Sequence, residues 1–459
     1  MLDAALKYCA RRRERFVADL AKLVAVPGVS AAGFPRRELE RSGNAVAGLL
    51  RGAGLEHVRL LRIPGAPPYV YGDWLHAPGK PTVLLYAHHD VQPPGRRGRW
   101  KSPPFQAARR GGRLYGRGAA DDKAGVVMHA ASIAAYLRTS GRLPVNVKVL
   151  IEGEEETGSE HLASFLRKYT RLVRADVVVI ADTDNYDTGV PSITTSLRGL
   201  VANEVTVESG RKPLHSGMWG GGFPDPVIAL GRIIASLTDR QGRIAIPGIR
   251  SGSRPMTALE RRHVDSLRYG DADYRRQTGM LPGVKVVGGR SSALVKMWRE
   301  PSVSVNAIQA GSREALSNII NEKAWCHVGI RIVPGMDPVR TGRLLRRHLK
   351  RNAPWGVKVA FGPLTIAPAW SVDPEDPAFA AARRALAKGY RREAVFKGCG
   401  GSIGFVGPLG RALGGAPALL IGVEDPYSNA HSENESLHLG DFEKSVRSAV
   451  HLYDELARS

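Results

Sequence analysis

Histidines, aspartates and glutamates gather in short segments, each following an apolar run or lying in a glycine-rich turn. The first reads Tyr86-Ala87-His88-His89-Asp90-Val91. A His-x-Asp pair in a rigid turn lets an imidazole nitrogen bind zinc while the nearby carboxylate fixes the ring's tautomer and raises its basicity. Two adjacent acids, Asp121 and Asp122, follow the turn Gly116-Arg117-Gly118. Singly, either acid could be a helix N-cap. A third segment runs Glu152-Gly153-Glu154-Glu155-Glu156, and like charges so close repel unless cations or solvent compensate them. Asp182 and Asp184 form the fourth segment and Ser428 to Glu435, with His431, the fifth. Each alone is an ordinary turn. Together they form a mixed His/Asp/Glu set that suits two zinc or similar ions bridged by one carboxylate.

Such ligands need rigid supports. Val83 to Tyr86, Val145 to Ile151 and Val177 to Ile180 are apolar runs with the look of buried strands. Ala124 to Leu137 has helical spacing, which gives a strand, helix, strand order and implies parallel pairing. In open sheets of this kind ligands bind beyond the carboxyl ends of the strands, where these acids and histidines lie. An amphipathic helix is expected before Pro27, and Ala418 to Ile421 is a last core strand ahead of His431. After Arg198-Gly199 the texture changes. Leu200 to Val207 alternates like a half-exposed strand, Pro226 to Leu237 has helical spacing, and Gly242 to Gly289 is irregular. Strand-like runs return at 303–308, 324–333 and 357–361, and a helix follows at 374–388.

Composition bounds the remaining classes. The chain has 459 residues, of which 43% are hydrophobic, enough for two or three domains. The net charge of +23 is spread over scattered basic residues without interleaved aromatics, which indicates a solvated surface and no nucleic-acid partner. Three distant cysteines form no disulfide framework or metal knuckle. With neither a secretory apolar stretch nor a run approaching the ~18 apolar residues of a membrane span, a cytoplasmic protein without membrane contact is expected.

In their order and neighbours, the five segments resemble the cocatalytic-zinc metallopeptidase family of carnosinases, glutamate carboxypeptidases, aminoacylases and succinyl-diaminopimelate desuccinylases. The resemblance runs from the first helix to the last. It implies a three-layer α/β/α catalytic domain from residues 1–198 and 371–459, with an inserted α+β lid and dimerisation domain at 199–370. It implies that Asp121 bridges two divalent ions, zinc first with manganese or cobalt as alternatives. His88 and Asp182 would complete one site, and Glu156 and His431 the other. Glu155 would be the general base for a metal-bridging water, Asp90 the carboxylate behind His88, and Asp122 would follow Asp121 through a cis-type peptide. The motif register passes over His89, Glu154, Asp184 and His438. His215, in Leu214-His215-Ser216-Gly217, resembles the lid histidine that stabilises the oxyanion and reaches a partner subunit's site in dimeric relatives, so a homodimer is implied. Arg331 resembles the arginine that binds the substrate carboxylate, with Asn306, Gly401 and Ser402 as further substrate contacts.

The expected activity is hydrolysis of an amide in a dipeptide or aminoacyl compound bearing a free carboxylate. One departure stands against a strict dipeptidase. Gly398-Cys399 occupies the place of the Arg-Glu found in carnosinase-like members, which removes an acidic partner for a free amine. That favours, as an alternative, an N-acyl amino acid amidohydrolase or desuccinylase. A non-catalytic binding protein on the same fold is the remote alternative, opposed by the intact ligand set and Glu155.

Overall fold

The computed structural model describes residues 1–314 and 316–458. The chain divides into two compact units, one of residues 1–195, 372–397 and 405–459, the other of residues 196–371 and 398–404. The first boundary falls three residues before the position expected from the sequence. The glycine-rich segment 398–404 groups with the second unit, where the sequence had it in the first.

In the first unit the strand order is Glu56–Leu61, Tyr69–Trp74, Asn146–Glu152, Thr82–His88, Val177–Ile180, Ala418–Ile421, Ser192–Leu197. The strands Asn146–Glu152, Thr82–His88, Val177–Ile180 and Ala418–Ile421 are mutually parallel neighbours, with His88 opposite Glu152 and Tyr86 opposite Ile180. Their carboxyl ends therefore share one edge, and the chain turns out of each strand there into Glu152 to Glu156, His88 to Asp90, Asp182 and the loop to His431. Alternation along a strand sends Val83, Leu85 and Ala87 into one core and leaves Leu84 and Tyr86 buried on the other face. The first core is closed by helices Leu2–Val24, Lys123–Ser140, Pro377–Tyr390 and Leu439–Leu456. On the other face, Phe165 of helix Leu162–Val173 stacks on Tyr69 with ring centroids 4.3 Å apart, and Phe405 lies 4.0 Å from Tyr86. Helices on both faces of a mixed sheet with a parallel centre make this the α/β/α class. Among the described residues, no helix is long and apolar enough to cross a membrane.

A small sheet pairs Ser436–His438 antiparallel with Arg113–Tyr115, and this ladder brings the loop before residue 436 onto the Gly116 to Asp121 turn. Gly118 there has φ +79°, and a Cβ on it would lie 2.6 Å from Val91 Cγ1, so the turn requires glycine.

In the second unit the order is Ser302–Gln309, Lys323–Ile332, Gly199–Glu208, Lys358–Ala367, all antiparallel. Helices Pro226–Ala235 and Pro338–Arg351 cover one face around Val205, Leu230, Val328 and Leu345. Both begin with an Asp N-cap followed by Pro, a strong start signal. The stretch irregular in sequence holds the short helices Ala258–Ser266 and Asp271–Thr278.

Candidate metal centre

Among the described residues, two sets of side chains place one donor atom each within 4.8 Å of one another: His88, Asp121 and Asp182, and Asp121, Glu156 and His431. Asp121 is common to both. One of its oxygens lies 3.0 Å from His88 Nε2 and the other 3.0 Å from His431 Nε2. Asp182 is 3.6 Å from His88 Nε2, and Glu156 is 3.1 Å from His431 Nε2. The peptide between Asp121 and Asp122 is cis, and Asp122 accepts a hydrogen bond from the His88 amide at 3.2 Å.

Asp90 orients both halves of the cluster. One of its oxygens is 3.4 Å from His88 Nδ1, whose nearest acceptor is the Asp90 carbonyl at 3.0 Å. The same carboxylate accepts from the amides of Glu155 at 3.2 Å and Glu156 at 3.1 Å. Glu156 is held further by Gln92, whose amide and side chain donate to its two oxygens at 3.1 and 2.9 Å. Glu435 is fully buried and accepts from Arg117 at 2.6 Å and from the amides of Gly118, Ala120 and Asp121, which fixes the turn carrying Asp121.

The neighbours passed over by the motif register have other partners. His89 Nε2 hydrogen-bonds the Pro68 carbonyl at 2.9 Å. Glu154 accepts from Tyr69 at 2.6 Å and pairs with His161 at 2.8 Å. Asp184 pairs with the buried Lys397 at 2.7 Å, and His438 caps the helix Leu439–Leu456 by accepting from the Asp441 amide.

The electrostatics show what the donor set requires. Burial, then Asp182 nearby, raises the Glu155 carboxyl well above the usual range, and burial with Asp121 raises Glu156 to about 7. Burial and the charges of Asp121 and Asp182 likewise raise Glu424, which the sequence reading had not singled out. Hydrogen bonds that its ring N–H donates to Asp121 and Glu156 raise His431 to about 11. At His88 burial alone would lower the imidazole, but Asp121, Asp182 and Asp90 outweigh it and raise it well above the ordinary value. Crowded acids that drag imidazoles toward the protonated form are short of positive charge, and nitrogen and oxygen donors in this mixture fit divalent metal ions.

The residues expected at the substrate lie in the second unit. Arg331 is half-buried on Lys323–Ile332 and its Nη1 donates to Ser402 Oγ at 2.8 Å. Gly401 donates its amide to Cys399 Sγ at 3.3 Å. Asn306 is exposed on the strand Ser302–Gln309, at a register shift between Val305 and Ala307. His215 is exposed, and its Nδ1 accepts from the Gly217 amide at 3.2 Å, so in the neutral ring Nε2 carries the proton. Arg198 escaped sequence reading. It donates to the Gly400 carbonyl at 3.1 Å and receives the Ser402 hydroxyl on its own carbonyl at 2.6 Å.

A parallel-sheet edge that presents acids and imidazoles sharing one carboxylate belongs to a metal-dependent hydrolase. The chain is a member of the peptidase family M20/M25/M40, whose model matches residues 84–455. It is 32% identical to the cysteinylglycine-S-conjugate dipeptidase of Corynebacterium striatum, over 78% of this chain and 77% of that one. It is 30% identical to the Cys-Gly metallodipeptidase dug1 of Schizosaccharomyces pombe, over 99% of this chain and 98% of the relative. The structure of human carnosine dipeptidase 1 superposes with a TM-score of 0.89 at 26% identity, covering 100% of this chain and 99% of the other.

Proposed function

We propose that the protein is a dipeptidase-like hydrolase that uses two zinc ions to cleave the amide bond of small substrates with a free carboxylate. The observation that carries this reading is the Asp121 carboxylate, which offers one oxygen to each of two histidine-containing sets. Dipeptidases among the relatives, matched over nearly their whole length, support it. Bound at these residues, zinc would polarise the amide carbonyl and ease deprotonation of a water.

The chain's own groups carry the remaining steps. Glu155, held by the Asp90 carboxylate through its amide, accepts the water proton and returns it to the leaving nitrogen. Asp90 and the tautomer it imposes keep His88 Nε2 directed at Asp121 and Asp182. Arg331 and Ser402 anchor the substrate carboxylate, with Gly401 and Asn306 beside the substrate backbone. His215 donates Nε2–H to the developing oxyanion of a partner subunit. A homodimer is supported by Ser302–Gln309, an edge strand that leaves Val305 and Ile308 exposed, and by the exposed Met218 and Trp219. Three cysteines free of disulfides agree with a cytoplasmic setting.

Cys399 favours a second reading, an N-acyl amino acid amidohydrolase, because the segment 399–402 holds no carboxylate to meet a substrate ammonium. Free dipeptides and N-blocked amino acids assayed side by side decide between the two by kcat/KM. Glu155→Gln should retain its metal while hydrolysis of the preferred substrate falls by about 10²- to 10⁴-fold. Near-normal turnover by that variant would remove Glu155 as the base.

A further inference from the structure

The second unit contains a cavity of about 280 Å³ for which the peptidase reading has no use. Arg198, Arg243, Arg250, Lys285 and Lys296 line it, with Glu300 as the single acid. Two of these cations are compensated. Arg243 donates to Asp239 at 2.8 Å, and Arg250 lies 3.7 Å from Glu300, whose other oxygen accepts from Ser291. The other three have no carboxylate partner among the described residues. Arg198 spends its Nε and Nη1 hydrogens on the carbonyls of Gly400 and Glu300 and on Ser302 Oγ, all of them uncharged acceptors. Lys285 and Lys296 make no ion pair among the described residues.

Three cations without a carboxylate partner around one half-enclosed space repel one another, a cost that a bound anion removes. Burial and then the neighbouring Arg331 lower the Arg198 guanidinium to about 10, with Cys399 offsetting part of the effect. The backbone is shaped for the same end. Gly288 and Gly289 have φ of +97° and +83°, and a Cβ on Gly288 would lie 3.3 Å from the Lys296 Cδ, so the turn leaves room for that side chain. Tyr274, Met280 and Val287 supply an apolar wall for an organic body. The volume is at the small end for ligand cavities, which run from roughly 300 to 1,000 Å³.

We infer that this cavity, built from second-unit residues alone, binds a small phosphorylated molecule, with the phosphate held by Arg198, Lys285 and Lys296 and its organic part against Tyr274 and Met280. A phosphate offers more acceptor oxygens than a lone carboxylate to the several cationic donors that line the cavity. Arg198 joins this site to the segment 399–402. Its amide donates to the Cys399 carbonyl at 3.2 Å and its side chain holds Gly400. For that reason Lys285 and Lys296 are the residues to change.

Isothermal titration of the metal-loaded protein with inorganic phosphate and with adenosine 5′-monophosphate, adenosine being the uncharged control, tests the site without any peptidase assay. Failure here is thus distinct from failure of the peptidase reading. The expected result is saturable binding of one or both phosphates, none of adenosine, and affinity that drops as salt rises. Replacing both lysines in K285A/K296A should weaken binding about tenfold or more, while K285R/K296R retains it. If the alanine pair is misfolded by circular dichroism, K285Q/K296Q takes its place with the same expectation. No saturable binding of either phosphate overturns the inference. So does binding that survives loss of both lysines, as phosphate held at the metal centre would.

Discussion

The acids of the first unit stand where four parallel strands end, while the cations of the second unit's cavity stand mostly on the irregular chain between Gly242 and Glu300. Both regions crowd like charges, but they hold them differently. His88, Glu152 and Ile180 share one sheet register, so the donors after them are placed by backbone pairing before any side chain interacts. Arg198, between the strands Ser192–Leu197 and Gly199–Glu208, rests on the Gly400 carbonyl, while Lys285 lies in irregular chain and Lys296 on the short helix Ala293–Trp298. A sheet edge can enforce charge repulsion that a cation must relieve, whereas a loop-built cavity can shift to lessen it. Substitutions in the first unit should therefore be costly and specific.

The sharpest break is Asp121→Asn. A carboxamide supplies one acceptor oxygen and no charge to sets that share this residue, so metal analysis should find the bound metal depleted. Hydrolysis should fall by more than about 10²-fold, since even supporting residues behind a ligand cost 10- to 100-fold. Asp90→Asn comes next. Metal affinity should fall by about 10- to 100-fold, measured by chelator competition, with kcat reduced even in metal-saturated protein because the amides of Glu155 and Glu156 lose a charged acceptor. In the second unit Arg331→Lys keeps the charge but loses the planar fork, and kcat/KM should drop about 30-fold, chiefly through KM. An unchanged KM would detach Arg331 from the substrate.

The smallest effect lies beneath the sheet. Burial lowers His129 to about 4, against about 6.5 for an ordinary histidine, with Nε2 on the Tyr86 carbonyl at 3.1 Å. Between those pH values the unfolded chain takes up a proton that the folded chain refuses, so stability falls as pH drops through that window. His129→Gln keeps a donor for Tyr86 and should abolish roughly 1 to 2 kcal/mol of the loss between pH 6.5 and 5, as read from urea unfolding at each pH. Activity at neutral pH should be unchanged.

The same contrast governs how much could be read from the sequence. The apolar runs before His88, Glu152 and Asp182 announce strands, and parallel pairing carries their carboxyl ends to one edge. The α/β class and the segments of the candidate centre were therefore legible as local signals. Glu435 was not, because the amides it holds lie more than 300 residues earlier in the chain and no local pattern marks the pairing. Gln92 is equally silent, as its partner Glu156 is set by the turn of the loop after Glu152. Tyr69–Trp74, fully buried, was overlooked because Gly72 and Asp73 interrupt its apolar pattern. The cavity around Arg198 draws on residues from 198 to 303, and that assembly is a property of the folded unit that no spacing rule expresses.

Asp90 carries a consequence for the way such an enzyme can diverge. One carboxylate steadies His88 and, through two main-chain amides, the segment bearing Glu155 and Glu156. A drift in that loop is felt at the imidazole, and a change at the imidazole returns to the loop. Natural variation or laboratory selection for a new substrate should thus spare this corner and, on the substrate role proposed for Arg331 and Ser402, be recorded in the segment 399–402 and around Arg331.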